Sequence, residues 1–324
     1  MSLKASFWGC TGSISAPLNT NQLDEKLTEV LWQARDMNFG NRQAVRDFVA
    51  QLPFPLRGTY KGNTSCIQIH NSQNLVILCD AGSGLRAFSD ALPDDCAANT
   101  YHLFLTHLHW DHIQGFPFFK PAYQPGNKIM IHSLHDAAED ALRNLLKSPY
   151  FPIDFDSLPA DIEFDIGNEG RGFQLGNLAV KTLKQDHPDH SWAFRFEEVG
   201  ESVVVSTDSQ HPHQAADESN YPFLEFFNEA DILIFDAQYA LLRSNEENRK
   251  WGHSDVLTAV ELAHRAKVKN LIITHHEPAN NDTMIHALLD SAEKHRTKLN
   301  AKSTDKCHYP KEILLAYDGL TVQT

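Results

Sequence analysis

Positions 106 to 112 read Thr106-His107-Leu108-His109-Trp110-Asp111-His112, which places three imidazoles and one carboxylate within six residues. Nitrogen and carboxylate-oxygen donors with no thiolate among them suit zinc first, with manganese or iron as alternatives. His107 and His109 are two apart, so in an extended segment they project to the same side. Asp111 and His112 are then available to a second cation beside the first. Two divalent cations roughly 3.5–4 Å apart, sharing a hydroxide, make a nucleophile at neutral pH and a clamp for a substrate's oxygens. The segment therefore predicts metal-assisted hydrolysis. The chain carries 18 histidines in 324 residues, a high count from which further ligands are expected.

The elements that must hold this cluster are strands. Residues 102–106 form an apolar run leading into it, so the polar groups fall on the loop at a strand's end, where a rigid scaffold commonly presents functional side chains. Similar runs predict strands over 4–8, 66–70, 75–79, 128–132, 178–183, 193–197, 202–206, 232–235, 271–274 and 313–316. The turn-rich Asn71-Ser72-Gln73-Asn74 joins two of them as a hairpin. Helices are expected over 136–147 and over 254–266, with Ser254 as the N-cap. Residues 148–164 contain Pro149, Pro152 and Pro159 and read mostly as loop.

One segment breaks the alternation. Leu23, Leu27, Val30 and Leu31, then Val45, Phe48, Val49 and Leu52, recur at helical spacing on either side of Gly40-Asn41. We read a helical pair inserted at about residues 21–52, placed to cover the site or to form an oligomer contact, so that a homodimer is allowed. No repeat, low-complexity tract or linker interrupts the rest. Two mixed sheets packed face to face with helices outside would bury this pattern in a single domain spanning 1–324.

Composition narrows the partners. With 42 acidic and 28 basic residues the formal net charge is −14, which disfavours tight binding of long nucleic acid. A small anionic substrate stays open, because bound cations reverse the local field. The five cysteines (Cys10, Cys66, Cys79, Cys96, Cys307) are scattered and odd in number, which argues against a disulfide framework or a thiolate zinc site. Residues 1–10 lack a charged start followed by an apolar core, and no apolar stretch approaches the roughly 20 residues needed to span a bilayer. A cytoplasmic protein with no membrane partner is expected.

The H-x-H-x-D-H segment after a strand resembles the metallo-β-lactamase superfamily, an α+β fold built as a four-layer αβ/βα sandwich. Within it the chain is most similar to the branch of ribonuclease Z-like, PhnP-like and class II cyclic-nucleotide phosphodiesterase-like proteins. That similarity rests on Phe7-Trp8-Gly9 with Gly12-Ser13, Gly62-Asn63-Thr64-Ser65-Cys66, Asp80-Ala81-Gly82-Ser83-Gly84, Tyr150-Phe151-Pro152 and Gly252-His253-Ser254. The resemblance implies that His107, His109 and His187 bind one metal and that Asp111, His112 and His275 bind the other, with Asp208 bridging. His190 competes with His187, and Asp236 competes with Asp208. Asp80 would orient a ligating imidazole from behind, or merely cap its own turn. His276 would support the centre or face away from it.

The resemblance further implies that His253 contacts the scissile phosphate or protonates the leaving oxygen, so His253 is grouped with Asp111 as catalytic. Tyr150, Phe151 and Trp110 could wall a flat substrate group. The expected activity is hydrolysis of a small phosphodiester or cyclic nucleotide. Transfer-RNA processing is disfavoured by the charge and by the lack of a long basic arm. A thioester, lactone or other ester hydrolase is the runner-up, and a diiron redox protein or a binding module without catalysis ranks lower.

Overall fold

The computed structural model describes residues 2–93, 99–212, 218, 220–239, 251–303 and 308–324. In chain order the first half comprises β1 (Lys4–Gly9), α1 (Thr20–Gln33), α2 (Arg42–Gln51), α3 (Phe54–Arg57), β2 (Cys66–His70), β3 (Val76–Cys79), α4 (Gly84–Ala91), β4 (Thr100–Leu105), α5 (Trp110–Ile113), β5 (Lys128–Ser133), α6 (Ala138–Leu145) and β6 (Asp161–Ile166). The second half runs β7 (Phe173–Leu175), β8 (Leu178–Gln185), β9 (Ser191–Glu198), β10 (Glu201–Ser206), α7 (Pro222–Phe227), β11 (Ile232–Asp236), α8 (Val256–Arg265), β12 (Asn270–Thr274), α9 (Asp282–Lys302), β13 (Glu312–Leu315) and β14 (Thr321–Gln323).

Among the described residues the strands form two seven-stranded sheets, ordered β14-β1-β2-β3-β4-β5-β6 and β13-β12-β11-β10-β9-β8-β7. Each sheet is parallel on one side and antiparallel on the other. β3 to β6 are parallel in the first sheet, and β10 to β13 are parallel in the second. The last strand, β14, returns to the first sheet and pairs with β1, Ala5 opposite Val322.

Side-chain alternation explains why the central strands read as unbroken apolar runs. Ile232 and Ile234 of β11 face the other sheet, with Val203 and Val205 of β10 and Phe7, Ile67 and Phe104 of the first sheet. Leu233 and Phe235 face outward, under Val256, Val260 and Ile285 of α8 and α9. Leu103 and Leu105 of β4 likewise lie under Leu85 of α4 and Leu142 of α6. A strand covered on both faces needs apolar residues at every position. The αβ/βα layering expected from the sequence is the architecture observed.

Several local expectations change. Residues 148–164 end in a strand, β6, whose Ile162, Phe164 and Ile166 alternate at the sheet edge behind the three prolines that hid them. The N-cap of α8 is Asp255, accepting hydrogen bonds from the backbone of Leu257 and Thr258 at 2.9 Å each, and not Ser254. Ser254 Oγ instead donates to the carbonyl of Ser209 at 2.7 Å. The 21-residue α9 and the short β7 and β14 carried no signal strong enough to be placed from sequence. The helical pair is present as α1 and α2, capped by Asn19 and Asn41. Cys10, Cys66 and Cys79 are buried free thiols, whereas Cys96 and Cys307 lie outside the described residues. Among the described residues no helix is long and apolar enough to cross a membrane.

One buried histidine sets a pH limit on the fold. His211 bonds Ser209 Oγ through Nε2 at 2.9 Å and the Tyr221 hydroxyl through Nδ1 at 2.6 Å. Burial holds the ring neutral and pulls its pKa down to about 3. The unfolded chain takes up a proton near the ordinary value of about 6.5 that the folded chain refuses, so stability falls as pH drops below that point, by about 1.4 kcal/mol per pH unit from this group. Comparing urea midpoints of wild type and His211→Gln at pH 7 and pH 5 should show a shallower acid loss in the variant. An unchanged loss would assign the acid sensitivity to other groups.

Candidate metal centre

The polar side chains singled out in the sequence leave the C-terminal ends of parallel strands, the edge at which open α/β sheets commonly bind ligands. Asp80 follows β3, His107 to His112 follow β4, Asp208 follows β10, Asp236 ends β11 and His275 follows β12. His187 joins them from the end of β8, and His253 from the turn before α8. Asp80, Asp208 and His275 have φ of +66°, +59° and +58°, left-handed conformations that cost a non-glycine residue energy. Each turns a side chain back across its strand end toward the same point.

Five overlapping groups of candidate ligands result among the described residues, and two of them are the expected triplets. His107, His109 and His187 offer ligand atoms within 4.8 Å of one another, and so do Asp111, His112 and His275. His109 Nδ1 lies 3.1 Å from His187 Nε2. His275 Nε2 lies 3.2 Å from Asp111 Oδ2 and 3.3 Å from His112 Nε2. Asp208 stands between the triplets. Its Oδ1 is 3.9 Å from both His107 Nε2 and His187 Nε2 and 3.3 Å from His275 Nε2, while its Oδ2 is 3.2 Å from His112 Nε2.

The imidazoles are oriented from behind. His112 Nδ1 donates to Asp80 Oδ2 at 2.7 Å, and Asp80 Oδ1 accepts from the Thr106 backbone at 2.8 Å. Thr106 Oγ1 donates to Asp80 and accepts from His107 Nδ1 at 3.0 Å, so one carboxylate steadies two rings. His187 Nδ1 donates to the Gly252 carbonyl at 3.0 Å. The Gln238 carboxamide lies 2.8 Å from His275 Nδ1, and its oxygen, turned to the ring, accepts that N–H. His253 Nδ1 donates to Asp236 Oδ2 at 2.9 Å. Fixing Nδ1–H in this way leaves each Nε2 lone pair facing inward, as metal-binding imidazoles require.

The electrostatics match that arrangement. Burial holds His107 well below the usual histidine range, with His112 adding to the effect, and holds His187 at about 4. Burial would also depress His112, but Asp208, Asp111 and Asp80 outweigh it and raise this ring. Burial works against ionisation of Asp111 and Asp208, yet His112 and His275 draw both carboxyls well below the ordinary range. His107 Nε2 is buried without a hydrogen-bond partner, and so is Asp208 Oδ2. Buried polar atoms rarely stay unpaired. Lone pairs and carboxylate oxygens crowded within about 4 Å repel unless positive charge sits among them. The donor set fits divalent cations bound to neutral imidazole and ionised carboxylate.

An open cavity of about 770 Å³ leads to this point, lined among others by Ser13, His109, Asp111, Trp251, His253 and His275. The aromatic wall expected from the sequence is corrected here, and the alternatives left open for His190, His276 and Asp236 are resolved. Tyr150 is 82% exposed and Trp110 76% exposed, and neither lines the cavity. Phe151 packs edge-on to Phe118 at 5.8 Å, so the aromatic at the rim is Trp251 instead. His190 is an exposed residue in a left-handed turn, its backbone N–H bonded to the His187 carbonyl, and it does not compete for the ligand position. His276 points away, with Nε2 on the Ala316 carbonyl at 2.8 Å. Asp236 serves His253 and does not bridge the triplets. No residue of the helical pair lines the cavity.

Gly252 was visible only as a neighbour of His253, yet its geometry is exacting. At φ +75° its carbonyl holds His187, and a Cβ there would lie 2.4 Å from His187 Nδ1. Gly252→Ala is expected to displace that ring and lower metal affinity about 10–100-fold, the usual range for disturbed supporting groups. Titration of apo-protein with zinc followed by calorimetry measures this. Unaltered affinity would show that His187 does not depend on this turn.

Comparison with known proteins agrees with the architecture. The family model described as "Beta-lactamase superfamily domain" matches residues 76–276, which span most of the site. The protein named ribonuclease Z from Shouchella clausii is 28% identical over 221 residues, covering 53% of this chain and 68% of that one. The crystal structure of the metallo-β-lactamase fold protein YhfI from Bacillus subtilis aligns over all of both chains with a TM-score of 0.64 at 18% identity. A diphosphatase from the PhnP family aligns over 99% of this chain and 98% of its own, with a TM-score of 0.59 at 16% identity.

Proposed function

This chain belongs to the metallo-β-lactamase superfamily and is a metal-dependent hydrolase, and from that premise we propose that it is a dinuclear phosphodiesterase acting on a small phosphodiester or cyclic nucleotide. The observation that carries the reading is the convergence on Asp208 of two ligand triplets, in a cavity that also presents His253 backed by Asp236. His107, His109 and His187 would hold one cation and Asp111, His112 and His275 the other, with Asp208 shared and zinc the first choice of metal. The whole chain, 1–324, is read as one domain with the helical pair at about 21–52 as an insertion.

When bound, the cations supply water reactive at neutral pH and draw charge from the phosphoryl oxygens. The remaining steps belong to side chains. With Nδ1 committed to Asp236, His253 presents Nε2 to the cavity and can pass a proton to the departing oxygen. The buried Asp236 carboxylate stabilises the imidazolium form that must exist before transfer. Asp111, which accepts the Ser13 backbone N–H at 2.8 Å, is held with its second triplet at the cavity wall. Trp251, 65% exposed at the rim, offers a flat apolar surface to a base or aryl group.

The relatives named ribonuclease Z stand against the expectation that long nucleic acid is excluded, so RNA belongs in the test. Purified full-length protein is assayed with bis(p-nitrophenyl) phosphate, cyclic nucleotides, a thioester, a lactone and a precursor transfer-RNA transcript, with and without chelator. We expect kcat/KM for the small phosphodiesters to exceed that for the thioester and lactone by about 100-fold or more, a gap of roughly 2.7 kcal/mol. Chelator should abolish it. Faster turnover of thioester or lactone would overturn the bond assignment, and preferential cleavage of the transcript would overturn the small-substrate assignment.

A further inference from the structure

The residues that follow β1 form a loop whose backbone is anchored on both sides of its tip. Cys10 and Thr11 both donate their N–H to the Asn63 carbonyl, at 3.0 and 2.9 Å. Gly12 N–H donates to the His276 carbonyl at 2.9 Å, and Ala16 N–H to the Gly62 carbonyl at 3.0 Å. Thr11 Oγ1 accepts the Gly62 N–H at 2.8 Å, and Ser15 Oγ meets Ser83 Oγ at 2.7 Å. Between these anchors the chain reverses in three residues. Ile14 N–H donates back to the Gly12 carbonyl at 2.6 Å, with Ser13 at the apex at φ +57°. A three-residue turn with a left-handed apex is rare and strained, and a residue other than glycine keeps it only where its surroundings impose it.

The turn brings Ser13 to the metal centre. Its N–H donates to Asp111 Oδ2 at 2.8 Å, and that oxygen lies 3.2 Å from His275 Nε2. Gly12 runs against the same ring, where a Cβ would lie 2.6 Å from His275 Nδ1. Ser13 therefore lines the cavity with Asp111, Asp208, His253 and His275. It is exposed, and among the described residues its hydroxyl has no hydrogen-bond partner. The hydroxyls around it are engaged within the protein, Thr11 by Gly62, Ser15 by Ser83 and Thr64 by the Ser83 N–H at 2.8 Å. We propose that Ser13 is a substrate-binding residue whose hydroxyl donates to a non-bridging phosphoryl oxygen on the Asp111 and His275 side of the centre, an inference that rests on the phosphodiesterase reading. Charge builds on those oxygens in the transition state, and a donor on an anchored backbone meets it with little reorganisation. The Ser13 N–H is already committed to Asp111, so the hydroxyl is the group left for substrate.

Because that N–H is retained in Ser13→Ala and Ser13→Gly, the two variants remove the hydroxyl and leave the bond to Asp111. Glycine also relieves the left-handed apex, so its losses do not come from strain. In the zinc-loaded full chain each variant should lower kcat/KM for bis(p-nitrophenyl) phosphate by about 10–100-fold, the range for a hydrogen bond to a charged group. Binding of inorganic phosphate, followed by calorimetry, should weaken by about tenfold or more, with zinc content unchanged. Turnover and phosphate affinity both within about threefold of wild type would overturn the proposal. Loss of zinc would overturn it too, because Ser13 would then act by holding Asp111. A wild type that hydrolyses no phosphodiester, yet binds phosphate more tightly than both variants, would sink the phosphodiesterase reading and uphold the Ser13 contact.

Discussion

Asp208→Asn is expected to yield folded protein that retains at most one metal per chain and hydrolyses bis(p-nitrophenyl) phosphate about 10³-fold more slowly, a loss of roughly 4 kcal/mol in transition-state stabilisation. The substitution keeps the shape of the side chain and removes its charge. Among the described residues Asp208 is the one carboxylate within 4 Å of His107, His187, His112 and His275 together, with Oδ1 near His107 and His187 of the first triplet and His275 of the second, and Oδ2 near His112. Two divalent cations bring four positive charges into a site whose inward-facing carboxylates are Asp111 and Asp208. Neutralising one of those carboxylates leaves the cations to repel each other in a medium that screens poorly. Elemental analysis by mass spectrometry together with kcat measures both consequences. Full occupancy with kcat within about tenfold of wild type would assign the shared position elsewhere and remove the premise of the proposed mechanism. Asp236→Asn is the matched control, because Asp236 bonds His253 and approaches the triplets at His275 alone, so metal content should survive there.

Why the sequence exposed one part of this site and concealed another follows from how the side chains are placed. The ligand positions sit directly after strands buried on both faces. Such strands read as continuous apolar runs, so the polar residue that ends each run stands out, as Asp80, Asp208 and His275 do. Direction is harder to read. Asp208 and Asp236 both close a parallel strand, and only their relation to the strand end separates them. Asp236 is the last residue of β11, paired with Thr274, whereas Asp208 lies two residues past β10 in a left-handed turn. That difference gives Asp208 to the triplets and Asp236 to His253, and neither apolar patterning nor spacing records it.

Supporting groups were hidden for a similar reason. The Gly252 carbonyl and the Gln238 carboxamide act through backbone path and orientation, not through a residue type that announces chemistry. Aromatic residues misled in the other direction, because Tyr150 next to Phe151 reads like a binding wall whether it faces a cavity or open solvent. Trp251 had the same residue class and a better position. What distinguishes it is the turn that carries it to the cavity together with Gly252 and His253.

His253→Ala separates proton transfer from every other contribution. For bis(p-nitrophenyl) phosphate the departing nitrophenolate is a weak base and leaves without assistance, so kcat should fall by less than about tenfold. For a cyclic nucleotide or any diester releasing an alkoxide, the proton must arrive as the bond breaks, and kcat should fall by about 10²–10⁴-fold, the range for a positioned general acid. Metal content should stay unchanged in both cases, since His253 has Nδ1 on Asp236 and stands outside the His107/His109/His187 and Asp111/His112/His275 sets, although its ring also lies within reach of His187 with Asp208 and of His275 with Asp236. Equal losses on both substrates would mean that His253 binds the phosphate without protonating anything. Loss of metal would place it among the ligands, which its 4.0 Å approach to Asp208 makes a real alternative outcome. Asp236→Asn should reproduce the same dependence on leaving group in weaker form, because an amide still accepts the Nδ1 proton but no longer stabilises a positive ring.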